Sequence, residues 1–221
     1  RDKSLIKHII ELENHIDYVL KYSGLAGGKG VLVSNSKSEM LEWVDKLYKG
    51  NSKAEVLVEK RLEGQEVSIL GFCNGYEVRL MPQTQDYKKI HDNEEGLNTG
   101  GMGSHGPVNI LDKEELTLVR QCMLRVVNHF NYKGILYAGI MKTSDGIFFL
   151  EFNCRLGDPE AQVILNLLDL TRCDLYDIFS QCIDEKPINV FWKDGYVSNV
   201  VLSHIDYPVK KSDSNLKISI N

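Results

Sequence analysis

The chain has 221 residues, 43% of them hydrophobic, enough for one large domain or two small ones with a real core. Its formal net charge is −5 with acidic and basic residues interspersed, so no basic face for nucleic acid or an anionic membrane is expected. Any positive groups that matter should gather locally around a small anionic ligand.

The five cysteines, Cys73, Cys122, Cys154, Cys173 and Cys182, are widely spaced and form no C-x-x-C. That argues against a disulfide framework or a zinc site and fits a reducing, cytoplasmic compartment. Apolar stretches fall well short of the ~20 residues that span a bilayer, and no signal peptide is expected. The chain opens at Arg1 without a methionine and reads as a piece of something longer.

Taken in order, residues 4–13 carry a helical apolar stripe through Leu5, Ile6, Ile9, Ile10 and Leu12. A strand at Tyr18–Lys21 leads into the loop SGLAGGKG, and a second strand follows at Val31–Val33. Ser36 and Glu39 have capping-box spacing for a helix that Gly50 should end. Glu55–Glu59 and Glu66–Phe72 read as strands about a turn at Glu63-Gly64, and 93–107 reads as loop because glycine, asparagine and serine dominate it. Asp112 and Glu115 cap a helix with an expected apolar face of Leu116, Val119, Cys122, Met123, Val126 and Phe130. Ile135–Lys142 and Ile147–Phe152 form a hairpin across Asp145-Gly146. A helix begins near Pro159, residues 195–203 hold one more strand, and the tail KKSDSN is polar. No internal repeat appears, and the fold class is α+β.

Three segments carry chemistry. In Lys21-Tyr-Ser-Gly24-Leu-Ala-Gly27-Gly28-Lys29-Gly30, glycines let backbone amides approach a phosphate and lysines supply charge. The spacing is neither a Walker loop nor a dinucleotide fingerprint, and strands on both sides suggest a lid over a nucleotide; a flexible hairpin loop is the alternative. The strand ending Glu151-Phe-Asn153-Cys-Arg155 places its polar residues on one face by period two. A carboxylate beside an amide oxygen suits Mg²⁺, which shares its shell with phosphates, and Arg155 suits a phosphate oxygen. An exposed polar face is the alternative, Asp158 before Pro159 reads equally as a helix N-cap, and Arg155 as a partner of Glu160. Finally, Asp86-Tyr-Lys-Lys leads to Asn98-Thr-Gly-Gly-Met-Gly, a candidate backbone nest for an anion or a close seat for a substrate, with a plain surface loop as the alternative. The six histidines show no metal spacing; His91 and His105 fit solvated roles.

The runs LKYSGLAGGKGVLV, VLVEKRLEGQEVS, QDYKK, GLNTGGMGSHGP, GILYAGIM and LEFNCRLGDPEAQ together resemble the glycinamide ribonucleotide synthetase (phosphoribosylamine–glycine ligase) family. The resemblance covers most of 16–170, and NTGGMG followed by EFNCRLGDPE is its most specific part. It implies an ATP-grasp fold of two α+β subdomains around a nucleotide cleft: 1–57 with the glycine flap, 58–190 with metal and substrate residues, and 191–221 opening a further domain. It gives Lys21 to the ATP phosphates, with Gly24, Gly27, Gly28, Lys29 and Gly30 in the flap. It gives Glu59, Lys60 and Leu62 to the adenine hinge and Glu66 to the ribose hydroxyls. Glu151 and Asn153 become ligands of Mg²⁺ or Mn²⁺, and Asp86, Asn98, Arg155 and Asp158 lie near the phosphoryl group and the amino acid, Asp158 pairing with the glycine amino group. The implied reaction joins glycine to 5-phosphoribosylamine through glycyl phosphate, at the expense of ATP. Flanking domains of the same polypeptide are the implied partners, with no nucleic acid and no membrane. Arg61 departs from a usual hydrophobic residue, Tyr87 and Lys89 from a usual His and Arg, and His204–Pro208 from a glycine-rich approach to Tyr-Pro. Another ATP-grasp ligase, or a nucleotide-binding module without catalysis, remains as an alternative.

Overall fold

The computed structural model describes residues 2–12, 17–24, 30–93 and 95–209, which form two compact units, Arg1–Glu63 and Gly64–Asn221. The expected end of the first helix at Glu13, the flap residues Gly27, Gly28 and Lys29, and the polar tail lie outside the described residues.

In the first unit, helices α1 (Lys3–Leu12) and α2 (Lys37–Gly50) accompany a sheet of β1 (Tyr18–Tyr22), β2 (Val31–Leu32) and β3 (Val56–Lys60) in the order β2-β1-β3. The α1 stripe buries Ile6 and Ile10 against Leu20, Met40, Val44 and Tyr48, so helical spacing and strand alternation meet in one small core. The Ser36 hydroxyl accepts from Glu39 N–H at 3.3 Å, but the return half of the capping box is relayed. Ser36 N–H donates to Ser34 Oγ, which in turn donates to the Glu39 carboxylate. Gly50 is the last helical residue and not the cap: Asn51 caps in an extended conformation, donating its N–H to Leu47 O. With the chain leaving in an extended geometry, no left-handed glycine is needed.

The second unit is built on an antiparallel sheet in the order β5-β4-β8-β9, from β4 (Gln65–Asn74), β5 (Val78–Leu80), β8 (Lys133–Thr143) and β9 (Gly146–Asn153). Helices cover both of its faces. Val67, Ile69 and Cys73 of β4 with Leu136, Ala138 and Ile140 of β8 pack on Val119, Met123 and Val127 of α3 (Lys113–Phe130). Leu70 and Phe72 with Ile135 and Tyr137 pack on Ile164 of α4 (Glu160–Leu167) and Ile178 and Cys182 of α5 (Leu175–Ile183). Two-sided burial explains why residues 67–73 of β4 are apolar on both faces apart from Ser68. The Asp112–Glu115 capping box forms in both directions. The buried stripe of α3 keeps the expected Val119 and Met123, with Leu116 and Val126 packed beside them, but ends on Val127 and leaves Phe130 70% exposed. Ser144 and Asp145 make the β8–β9 turn, and Gly146, at φ +125°, opens β9.

The segment expected as loop is a strand. Residues Glu95–Gly106 form the twelve-residue β7, flanked by β6 (Gln85–His91) and β10 (Val197–Val200) in the order β10-β7-β6. Its glycines permit close packing: a Cβ on Gly103 would stand 2.6 Å from Asn199 O, and one on Gly101 2.4 Å from Pro159 Cδ. Local composition argues for loop, whereas the strand is held by the hairpin with β6 on one side and by the distant β10 on the other. Three backbone amides of β7 have side-chain partners. Gly100 N–H donates to Tyr207 Oη, Gly101 N–H to Thr99 Oγ1 and Ser104 N–H to Asn199 Oδ1. No described helix is long and apolar enough to cross a membrane.

Candidate functional site

In the first unit Lys21, near the end of β1, forms an ion pair with Glu59 of β3. The register places Lys21 opposite Leu57 and Val19 opposite Glu59, so the pair is a diagonal across neighbouring strands. Lys60 is exposed and Leu62 half-buried just beyond. Arg61, the departure from the resemblance, donates from Nη1 to Asn35 Oδ1 at 2.6 Å. Of the flap, Gly24 and Gly30 are described: Gly30 O accepts from Tyr22 N–H at 2.8 Å, closing the base of the loop between the paired strands β1 and β2.

In the second unit the register gathers oxygen donors on one sheet face. Ser68 lies opposite Gly139, which lies opposite Glu151, and Leu70 lies opposite Tyr137, which lies opposite Asn153. Directly opposed residues share a face, so Glu66, Ser68, Glu151 and Asn153 all sit on the side that carries α4. Plain alternation would have put Phe149 there too. A bulge at Leu150, where pairing steps from Gly139–Glu151 to Ile140–Phe149, prevents this. Phe149 therefore packs toward α3 and stacks on Phe152 at 5.3 Å, while Glu151 turns to the polar face. Gly139 lies beneath it: a Cβ there would come to ordinary contact with Glu151 Cγ at 3.4 Å. Phe152 is still 40% exposed, so an apolar back face is not what distinguishes this strand.

Asn153 Nδ2 donates to Glu151 Oε1 at 2.9 Å, so the amide and the carboxylate lie side by side. Two hard oxygens on an exposed face suit Mg²⁺, which takes its other ligands from water and phosphate. Among the described residues no group of three or more His, Cys, Asp or Glu stands ready for a metal, so an ion here would rely on a ligand that brings its own oxygens.

The alternatives for the following corner are not met. Pro159 is the N-cap of α4 and makes no side-chain cap bond; Asp158 instead accepts from Gln162 Nε2 at 2.8 Å. Arg155 donates to Leu156 O, whereas Glu160 points inward. Arg155 and Asp158 are thus both exposed and neither is needed to cap the helix.

Sequence reasoning missed a cluster behind this face. Glu160 is 2% exposed, accepts from Ser68 Oγ at 2.8 Å, and nests against Gly157, where a Cβ would come within 2.4 Å of its carboxylate. Burial, then the charge of Asp86, pushes its pKa above the ordinary carboxylate value, against the hydrogen bonds from Ser68 and Tyr137. Burial and the Glu160 charge likewise push the Tyr137 phenol upward. On β6, Asp86 is nearly buried, and both its oxygens lie 3.3 Å from Lys88 Nζ, which also pairs with Glu66 of β4. Burial works against the charge on Lys88, but Asp86 and Glu66 hold its pKa above the ordinary lysine value. The D-x-K spacing was visible, but it acquires meaning only once 85–91 is known to be a strand. Beside it, Lys89 pairs in register with Asn98, and Tyr87 stacks on His105 at 5.6 Å. Burial pushes the Cys73 and Cys182 thiols up to about 12 and about 11, which marks them as inert core groups.

The fold has solved counterparts. The biotin carboxylase domain of Hydrogenobacter thermophilus 2-oxoglutarate carboxylase superposes with a TM-score of 0.64 at 17% identity, over 90% of this chain and 44% of that one. Phosphoribosylamine–glycine ligase from Thermotoga maritima superposes with a TM-score of 0.78 at 33% identity, over 92% of this chain and 53% of that one. The units and their antiparallel sheets thus define an ATP-grasp protein. The family model described as phosphoribosylglycinamide synthetase, ATP-grasp (A) domain, matches residues 2–161, and the chain belongs to that family. A trifunctional purine biosynthetic protein of Chironomus tentans is 44% identical over 204 residues, 86% of this chain but 15% of that protein. A phosphoribosylamine–glycine ligase of Streptococcus pneumoniae is 37% identical over 202 residues, 86% of this chain and 47% of that protein.

Proposed function

We propose that this chain is the ATP-binding part of a phosphoribosylamine–glycine ligase. The observation that carries the reading is the Glu151/Asn153 oxygen pair, turned by the Leu150 bulge onto the same sheet face as Glu66. In this reading Glu66 takes the ribose hydroxyls, Glu59, Lys60 and Leu62 receive adenine, and Lys21 and the glycine flap contact the phosphates. Glu151 and Asn153 hold Mg²⁺ or Mn²⁺, which when bound neutralises charge on the phosphates.

Glycine's carboxylate oxygen attacks the γ-phosphorus of ATP and ADP leaves, giving glycyl phosphate. The amine of 5-phosphoribosylamine then attacks the acyl carbon, the amide forms and phosphate departs. Phosphoryl transfer asks the protein mainly for positioning and charge neutralisation. Arg155 is suited to a phosphate oxygen and Asp158 to the glycine ammonium, with Asp86 and Asn98 close to the reacting groups. Flap closure would keep water from the acyl phosphate.

Calorimetry with Mg-ATP tests the reading. The parent chain should bind only with magnesium present, and Glu151→Ala/Asn153→Ala should weaken that binding at least tenfold, about 1.4 kcal/mol. Equal binding by both proteins, or the same affinity with magnesium chelated, would remove the metal assignment.

A further inference from the structure

Glu66 is the carboxylate assigned above to the ribose, and by itself it is a poor instrument for that task. Its side chain is 34% exposed, on a strand with a long, rotatable stem. A glutamate that selects for hydroxyls must present a fixed oxygen, or the rotamer freedom it loses on binding offsets the hydrogen bonds gained. The structure supplies a device that fixes it.

Lys88 reaches from β6 to the Glu66 carboxylate and engages Oε1; among the described residues Oε2 has no donor. Lys88 is itself held. Asp86, with a side chain 7% exposed, presents both oxygens at 3.3 Å to the same ammonium. A carboxylate so far from water needs a counter-ion, so Asp86 fixes the lysine head firmly. The lysine main chain is pinned by Thr99 Oγ1, which donates to Lys88 O at 2.9 Å. The strand carrying Glu66 is pinned by Gln85 Nε2, which donates to Glu66 O at 3.0 Å. Behind Asp86 lies a second buried carboxyl group, Glu160, which accepts from Ser68 Oγ at 2.8 Å.

We propose that Lys88 is a positioning residue for nucleotide selection: anchored on buried Asp86, it clamps one oxygen of Glu66 so that the other stands fixed to accept the ribose diol. The inference rests on the ribose role proposed for Glu66. Lys88 makes no contact with the nucleotide in this scheme and acts through Glu66 alone.

The test compares ATP with 2′,3′-dideoxyATP in the full polypeptide, by calorimetry with magnesium. The parent should prefer ATP. Glu66→Gln and Lys88→Met should each reduce that preference roughly tenfold, the double variant should lose no more than either single one, and Lys88→Arg should keep most of it. A general loss of packing would weaken both nucleotides alike and leave their ratio unchanged. Should Lys88→Met fail to fold for want of a counter-ion to Asp86, Asp86→Asn/Lys88→Met removes both charges and gives the same readout. If Glu66→Gln loses the preference while the lysine variants retain the parental ratio, Lys88 does not position Glu66 and the inference is overturned. If Glu66→Gln itself keeps the ratio, the ribose role is wrong and the inference falls with it.

Discussion

Glu160 shows how much one residue can demand of its surroundings. Its carboxylate is buried in the first turn of α4, with Ser68 as donor and Gly157 leaving space for it. Burial raises its folded-state pKa above the unfolded value, with Asp86 adding to the effect. The stability linked to the bound proton is therefore fully present below the unfolded pKa and is lost as pH rises through the folded one. Glu160→Gln has no proton to lose. Its stability relative to the parent should climb as pH is raised from about 4 toward neutrality, read as urea midpoints at several pH values. A gap that is constant with pH, or that narrows, would mean the carboxylate does not titrate in the folded protein. The same environment accounts for Lys88, whose ammonium answers two carboxylates at once. Both residues lie inside runs that mark the family, QDYKK and EFNCRLGDPE, yet each gains its role from neighbours on other elements.

Among the elements, helix ends were legible because their chemistry is local. Asp112 and Glu115 form the capping box that their spacing foretold. Gly50 did not become a left-handed terminus, since Asn51 leaves the helix in an extended conformation. These two ends predict opposite outcomes. Gly50→Ala meets nothing within 4 Å and should stabilise by roughly 0.5–1 kcal/mol through reduced unfolded-state freedom. Asp112→Ala should cost about 0.5–2 kcal/mol by orphaning the amides of Glu114 and Glu115. Denaturation midpoints of both variants decide the matter, and a destabilising Gly50→Ala would point to a constraint at that terminus. Strands were less transparent. The composition of β7 reads as loop because a glycine-rich stretch has no apolar alternation, and its second partner, β10, lies more than ninety residues on. The Leu150 bulge is the most consequential strand feature. Period two placed Glu151 and Asn153 together correctly but would have carried Phe149 with them; the extra residue separates polar face from core.

Across the whole molecule, the chain spans 47% of the pneumococcal ligase and 15% of the insect trifunctional protein to which it is similar. The proposed reaction needs a place for 5-phosphoribosylamine as well as for ATP and glycine. Purified residues 1–221 are therefore expected to bind Mg-ATP and to form no glycinamide ribonucleotide when given all three substrates. Chromatographic detection of that product from the isolated chain would overturn the second half of this expectation.

The sequence by itself determined the α+β class, the helix caps, the β8–β9 hairpin, the family and the Glu151/Asn153 pair. Each rests on local spacing or on a motif a few residues long, where neighbours in sequence are also neighbours in space. Only the tertiary structure decided that 95–106 is a strand, that Glu151 faces α4, and that Asp86, Lys88, Glu66, Ser68 and Glu160 meet. These depend on strand register, on burial and on the charge balance of a shared interior. Register and burial are set by residues tens of positions apart, so no window along the chain contains them.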